Sequence, residues 1–325
     1  MMTQGDVIAL IGAAIAVLMT GMGAARGMRL VQEAAAGMVT EQPHKFGKTL
    51  ILQLIPSSAA LYGFVVGFLI LTNTILRDAE EVGYTLMEGL MILAVCLPIG
   101  VVGYYVTIAQ AKVCTAGVRM IGKREELAGR AITMAVFAEL FTLFSLIVAV
   151  ISLFSIPQGE LVGNDGLGNV IAIFGASLAV ALTGISSGIG MQWVQETSAH
   201  VVADQPQKFG KTLILQLLPS SSALYGFIVG FLILTNTALV SEPTEFYSVN
   251  EGLLVLAACL PIAFVGLVAN LARSRVCVSG VRMVAKDDEL AGRALTMGVL
   301  IELFILFALI VSVISVFQIP MSIGG

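Results

Sequence analysis

Charge is what this sequence has least of. Only 12% of its 325 residues are Asp, Glu, Lys or Arg, against 58% apolar residues and a mean hydropathy of +0.97. Water-soluble domains carry about 25% charged residues, so the chain reads as an integral membrane protein. Metal-binding side chains are equally scarce. The two His and four Cys form no CxxC pair, and Cys96, Cys114, Cys259 and Cys277 sit in apolar stretches. They read as small buried hydrophobes rather than a zinc or redox site. No GxxxxGK[ST] loop occurs, and the polar connections are too short to hold a nucleotide domain. The chain therefore does not itself hydrolyse ATP, and neither a cofactor nor a nucleic-acid partner is expected. A signal peptide would put basic residues before its apolar run, whereas Asp6 comes first here and Arg26 follows. That order predicts a retained first helix.

What is abundant is apolar sequence, and it repeats. KFGKTLILQLIPSS at Lys45 returns as KFGKTLILQLLPSS at Lys208, an offset of 163 residues that also superimposes GFLILTNT and all four Cys. Such a period marks a tandem duplication. Each half holds four apolar segments of membrane-spanning length: 5–28, 48–76, 89–118 and 131–156, then 168–192, 211–240, 252–281 and 294–318. The fold expected is all-α, eight transmembrane helices arranged as two parallel four-helix repeats, each of two hairpins. An even number of spans per unit gives both halves one orientation. The first repeat covers 1–155, a short acidic linker 156–167 and the second repeat 168–325.

Basic residues set the sidedness. Sixteen of the 17 Lys and Arg cluster at connections 1–2, 3–4, 5–6 and 7–8, leaving Arg77 alone among the acids Asp78, Glu80, Glu81, Glu88, Glu160, Asp165, Glu242, Glu245 and Glu251. By the positive-inside rule both termini and the linker lie outside the cytoplasm. Spans 1 and 5 are rich in small residues, from Gly12 to Gly27 and from Gly175 to Gly190. Small side chains let helices approach closely in lipid, which suits either ordinary bundle packing or the crowded inner circle of a ring.

Two acids interrupt the apolar runs. Glu139 follows Arg130 by nine residues within RAITMAVFAELFTLF, and Glu302 takes its place in RALTMGVLIELFILF. At ~1.5 Å per residue both lie near mid-membrane, where a carboxylate costs several kcal/mol unless partnered or protonated and so marks a functional site. Counting residues from the charged turns puts Gln110, Ser57 and Ser58 at the same depth as Glu139, with Tyr62 one turn further. Pro56 breaks the helical ladder and frees backbone oxygen nearby. This set of hard oxygen ligands suits an alkali cation or a protonated acid, not a transition metal. Each of these polar residues except the acids also has a purely structural reading, the Ser hydroxyls bonding their own backbone.

The segments KFGKTLILQLIPSSAALYGF, IAQAKVCTAGVRM and AVFAELFTLF resemble the proteolipid (K, or c) subunit of rotary V-type and archaeal-type ATPases, and the resemblance covers each half. It implies a homo-oligomeric membrane ring that turns against a stator subunit with half-channels, on a central stalk, carrying one H+ or Na+ per helix-4 acid. It assigns Glu139 and Glu302 as the ion carriers and Tyr62 and Tyr225 as their hydrogen-bond partners. Sodium-binding members read LPGTQ where this chain has Ile55-Pro56-Ser57-Ser58-Ala59 and Leu218-Pro219-Ser220-Ser221-Ser222. The resemblance thus outlines one Na+ site from Glu139, Gln110, Ser58, Ile55 and Tyr62. A second would be Glu302, Ser221, Ser222, Leu218 and Tyr225. The family's glutamine has become Ala59 or Ser222, and Gln110 has become Arg273 in the second half. Those losses favour H+ over Na+ as cargo. Arg273 either pairs with Glu302, holding it ionised, or snorkels to the cytoplasmic face. Near-identical loops at 39–48 and 202–211 suit contact with a common stalk subunit or plain solvation. The location expected is a prokaryotic plasma membrane. A secondary transporter or channel built on two parallel repeats is the competing reading.

Overall fold

The structure, a computed structural model, describes residues 2–77, 82–156, 158–159, 166–235 and 247–319. Eight helices are long and apolar enough to cross a membrane: α1 Gln4–Glu41, α2 Pro43–Thr72, α3 Leu86–Lys123, α4 Glu125–Ser155, α5 Leu167–Asp204, α6 Pro206–Leu234, α7 Val249–Lys286 and α8 Asp288–Gln318. The odd-numbered helices each run 38 residues, about 57 Å at 1.5 Å per residue, well beyond the hydrocarbon core. The first span therefore does not stop near residue 28. QEAAAGMV after Leu30 contains only residues that tolerate a helix, and the chain turns at Gln42 alone between α1 and α2. The expected loop 39–48 is mostly a helix end and a 3₁₀ turn at Pro43–Lys45.

Helix ends are closed by side chains. Thr3, Thr85 and Ser248 cap α1, α3 and α7, with Asp6, Glu88 and Glu251 completing capping boxes, so that orphan amides find acceptors. At the opposite end the Lys45 ammonium is buried and donates to the Ile121 and Gly122 carbonyls at 3.0 and 2.9 Å. Lys208 does the same for Val284 and Ala285. The lysine of each KFGK segment thus caps a helix distant in sequence, α3 or α7. Arg77 grips buried Asp6 through two nitrogens at 2.7 and 2.8 Å. Most of the acidic linker, together with Asp78, Glu80, Glu81, Glu160, Asp165, Glu242 and Glu245, lies outside the described residues.

The helices form two layers. α1, α3, α5 and α7 pack in that order as one row, and α2, α4, α6 and α8 lie against it as the second. Glycine permits the closest approaches. A Cβ on Gly63 or Gly226 would sit 2.0 Å from the hydroxyl of Thr20 or Thr183, and one on Gly188 2.6 Å from Val106. The last contact joins the two halves. They are fastened further by Ser177 donating to the Ala94 carbonyl, Gln195 to the Met134 carbonyl, and a stacked Phe144–Phe227 pair. The four helix pairs consequently continue one another in a single open series. Its two ends, α1 and α8, present unpartnered apolar side chains such as Val17, Leu18, Phe304 and Phe307.

Candidate functional site

The second layer is where regular helix gives way. α2 tightens into a 3₁₀ turn at Ile55–Ser57 and α6 at Leu218–Ser220, each around a proline. α4 is interrupted at Ala138, one residue before Glu139, whereas α8 runs unbroken from Ala291 to Gln318 through Glu302. The irregular turns place Tyr62 and Tyr225 opposite the two acids.

At Glu139 the Tyr62 hydroxyl donates to Oε1 at 2.5 Å. The remaining ligand candidates donate to backbone carbonyls. Ser58 donates to the Ile55 carbonyl at 3.0 Å and Ser57 to the Leu54 carbonyl at 2.7 Å, each within its own helix. Gln110 is buried, and its amide donates to the Ala135 carbonyl at 3.2 Å, one turn before Glu139. It lies near the depth counted from the sequence, but its donor serves the interrupted α4 backbone.

At Glu302 the Tyr225 hydroxyl donates to Oε1 at 2.9 Å. Arg273 Nη1 stands 3.3 Å from the same oxygen. That is ion-pair range without hydrogen-bond alignment, and Nη1 and Nε have no hydrogen-bond partner among the described residues. Nη2 donates to Asn270 Oδ1 at 2.6 Å. The Arg273 side chain has no exposed surface, so it belongs to the membrane interior and not to the basic turns with which the sequence grouped it. It turns to Glu302 instead of snorkelling. Ser221 donates to Leu218 at 3.3 Å, as its counterpart does. Ser222 points the other way and donates to the Gly266 carbonyl of α7 at 3.0 Å, so it is not among the groups facing Glu302. Sequence reasoning missed Asn270, Ser186 and Ser187, which connect to Arg273. Their signal was there as departures from the 163-residue repeat, at Thr107, Gly23 and Ala24.

No group of three or more His, Cys, Asp or Glu side chains that could hold a metal occurs among the described residues. A cavity of about 580 Å³ lies among Lys112, Arg119, Trp193, His200 and Arg275 on the first-layer helices, and neither acid lines it. What the arrangement offers is two carboxylates, each held by a phenol from the neighbouring second-layer helix.

The family described as the ATP synthase C subunit matches the chain four times, over residues 11–70, 93–152, 174–233 and 256–315. Each match is one helix pair: α1/α2, α3/α4, α5/α6 and α7/α8. The repeat is therefore fourfold at the hairpin level, beneath the twofold repeat visible in the sequence. Counted from the start of each match, the position of Glu139 and Glu302 is Ser57 and Ser220 in the first and third hairpins. The V-type sodium ATPase subunit K of Enterococcus hirae is 37% identical over 145 residues, 45% of this chain and 89% of that one. The A-type ATP synthase subunit K of Methanocaldococcus jannaschii is 29% identical over 228 residues, 70% and 96%. The 16 kDa proteolipid of the V-type proton ATPase of Rattus norvegicus is 32% identical over 145 residues, 43% and 86%. With four hairpins matched across most of its length, the chain belongs to the family of ATP synthase C subunits.

Proposed function

We propose that this chain is the ion-carrying subunit of the membrane rotor ring of a V-type or archaeal-type ATPase, with Glu139 as a reversible carrier of H+. The observation that carries the reading is a lone carboxylate on a membrane-spanning helix with a phenol at 2.5 Å as its hydrogen-bond donor. A carboxylate in lipid is tolerated when neutral, so Glu139 crosses the lipid-facing part of each turn loaded. Beside a stator half-channel, a cationic side chain of that partner favours the ionised form and releases the cargo. Reloading from the other half-channel lets the ring advance while a separate catalytic head, joined through a central stalk, hydrolyses ATP.

The series of helix pairs is open at α1 and α8, where apolar side chains face outward, and unlike ends that meet head to tail continue a series into a ring when the rotation closes. The distribution of Lys and Arg supports extracytoplasmic termini and cytoplasmic turns at Gln42 and Arg124, in a prokaryotic plasma membrane. H+ is favoured because a protonated carboxyl needs no further oxygen ligands, and the glutamine of the sodium-binding members is Ala59 here. A second reading, Na+ as cargo, draws on the 37% identity to the sodium-ATPase subunit.

The test is Glu139→Gln in the assembled complex, which removes the charge while keeping the shape. Ion transport and the ATP hydrolysis coupled to it should stop; pumping at the native rate would refute the role. Carbodiimide modification of Glu139 unaffected by added Na+ identifies H+ as cargo, and protection by Na+ identifies sodium.

A further inference from the structure

The two halves differ at many positions, and one group of differences gathers around a single point. Around Gln110 the first half has Gly23, Ala24, Ala59, Thr107 and Ala111; around Arg273 the second has Ser186, Ser187, Ser222, Asn270 and Ser274. All five replacements in the second half are polar and fully buried. They are also connected. Asn270 Nδ2 shares its two hydrogens among Ser186 Oγ, Ser187 Oγ and the Pro219 carbonyl at 3.1, 3.1 and 3.0 Å. Ser187 Oγ in turn accepts from the Ala223 amide, which a regular helix would aim at Pro219. Ser274 donates to the Asn270 carbonyl at 2.7 Å, while Ser186 and Ser222 both donate to Gly266. With its donors so fixed, Asn270 has one direction left for Oδ1, and there it receives Arg273 Nη2 at 2.6 Å.

Buried polar groups in a bilayer are costly unless satisfied, and an arginine that merely snorkelled would need none of these. The network is a cradle that holds a guanidinium against Glu302. We infer that Arg273 is a tethered counter-cation that takes the place of transported cargo at Glu302, so that each chain carries one cation, at Glu139, and not two. This deepens the ion-carrier reading and rests on it. A guanidinium does not lose its proton in proteins and is anchored to α7, so the pair is neutral without loading and its positive charge cannot be released. Cargo binding at Glu302 should be weaker than in a chain lacking the guanidinium by about three to four orders of magnitude, from the attraction of unit charges at this separation.

Carbodiimide attacks protonated carboxyls in apolar surroundings, so the readout is the site and number of adducts on each chain of the native complex at neutral pH, by mass spectrometry. One adduct per chain, at Glu139, with Glu302 unmodified, is the expected result. Arg273→Gln, which restores the first-half residue, should add a second adduct at Glu302. Equal modification of both acids in the native complex overturns the inference, as does a Glu302 that stays unreactive in folded Arg273→Gln. An unreactive Glu139 beside a reactive Glu302 overturns the inference and the assignment of Glu139 together. Two unreactive acids overturn the carrier reading itself.

Discussion

The Arg273–Glu302 pair should respond asymmetrically to loss of either partner. In Glu302→Gln the guanidinium stays charged, with no exposed surface and only Asn270 as hydrogen-bond acceptor. Removing one side of a buried pair costs about 3–5 kcal/mol, because the charge left behind is uncompensated. In Arg273→Gln the survivor is a carboxylate, which escapes by taking up a proton and keeps Tyr225 as a neighbour 2.9 Å away. The loss is then limited to the Asn270 contact, about 1–2 kcal/mol. Glu302→Gln combined with Arg273→Gln should therefore be more stable than Glu302→Gln alone, by roughly 2–3 kcal/mol, the non-additivity expected of two groups in contact. The assay is helical melting of the purified subunit in detergent, where Glu302→Gln should lower the midpoint by roughly 5–10 °C and the second substitution should recover most of it. Equal losses in the two single variants, adding without interaction, would refute the claim that Glu302 neutralises Arg273.

Other consequences of the packing can be measured in the same preparation. Lys45→Met removes the ammonium that caps α3 at Ile121 and Gly122; it should cost about 1–3 kcal/mol and speed hydrogen exchange in the last turn of α3 while leaving α7 protected. Gly226→Val puts a branched side chain where even a Cβ meets Thr183 at 2.0 Å, so α5 and α6 must separate. Destabilisation of about 1–3 kcal/mol or more is expected. Gly210→Ala, with nothing within 4 Å of the added carbon, should be neutral or slightly stabilising in the same melting experiment.

Some of this molecule is plain in its sequence, and the reasons are physical. Hydrocarbon demands long apolar helices, so eight spans can be counted directly, and a carboxylate within such a span is conspicuous at once. Helix ends are less legible, because outside the hydrocarbon a polar helix and a polar loop have similar compositions; α1 runs on to Glu41 through Gln, Glu and Ala, which favour helix without marking a membrane span. Lys45 and Lys208 look like solvent-facing loop charges, since capping of a sequence-distant helix leaves no local mark. Counting places the Gln110 amide near the right depth, but whether it serves Glu139 or the Ala135 carbonyl depends on the break at Ala138. No single residue announces that break. The fourfold hairpin repeat is hidden because the hairpins within a half have diverged further than the halves have. Asn270, Ser186 and Ser187 are the most recoverable of what sequence reasoning missed: each is a polar residue standing where its duplicate is small or less polar.

Every hairpin of a rotating ring must cross lipid without net charge at its midpoint, and this chain meets that requirement in three ways. In the first and third hairpins the acid's position is Ser57 and Ser220, each hydroxyl donating within its own helix to Leu54 and Leu217 at 2.7 and 2.6 Å. In the fourth, the acid is present and the neutralising cation is built in on α7. Only the second hairpin leaves its carboxylate to be neutralised from outside, with Tyr62 as its hydrogen-bond donor. On the proposed reading, a ring of such chains moves one cation for every eight helices where two loadable acids would move two. For a fixed free energy of ATP hydrolysis per turn, halving the cations doubles the gradient against which each can be driven. The relation tests itself: freeing Glu302 through Arg273→Gln should raise the cations moved per ATP towards twice the native value while lowering the steepest gradient sustained. An unchanged ratio alongside a loaded Glu302 would mean that the second site exchanges nothing with the stator.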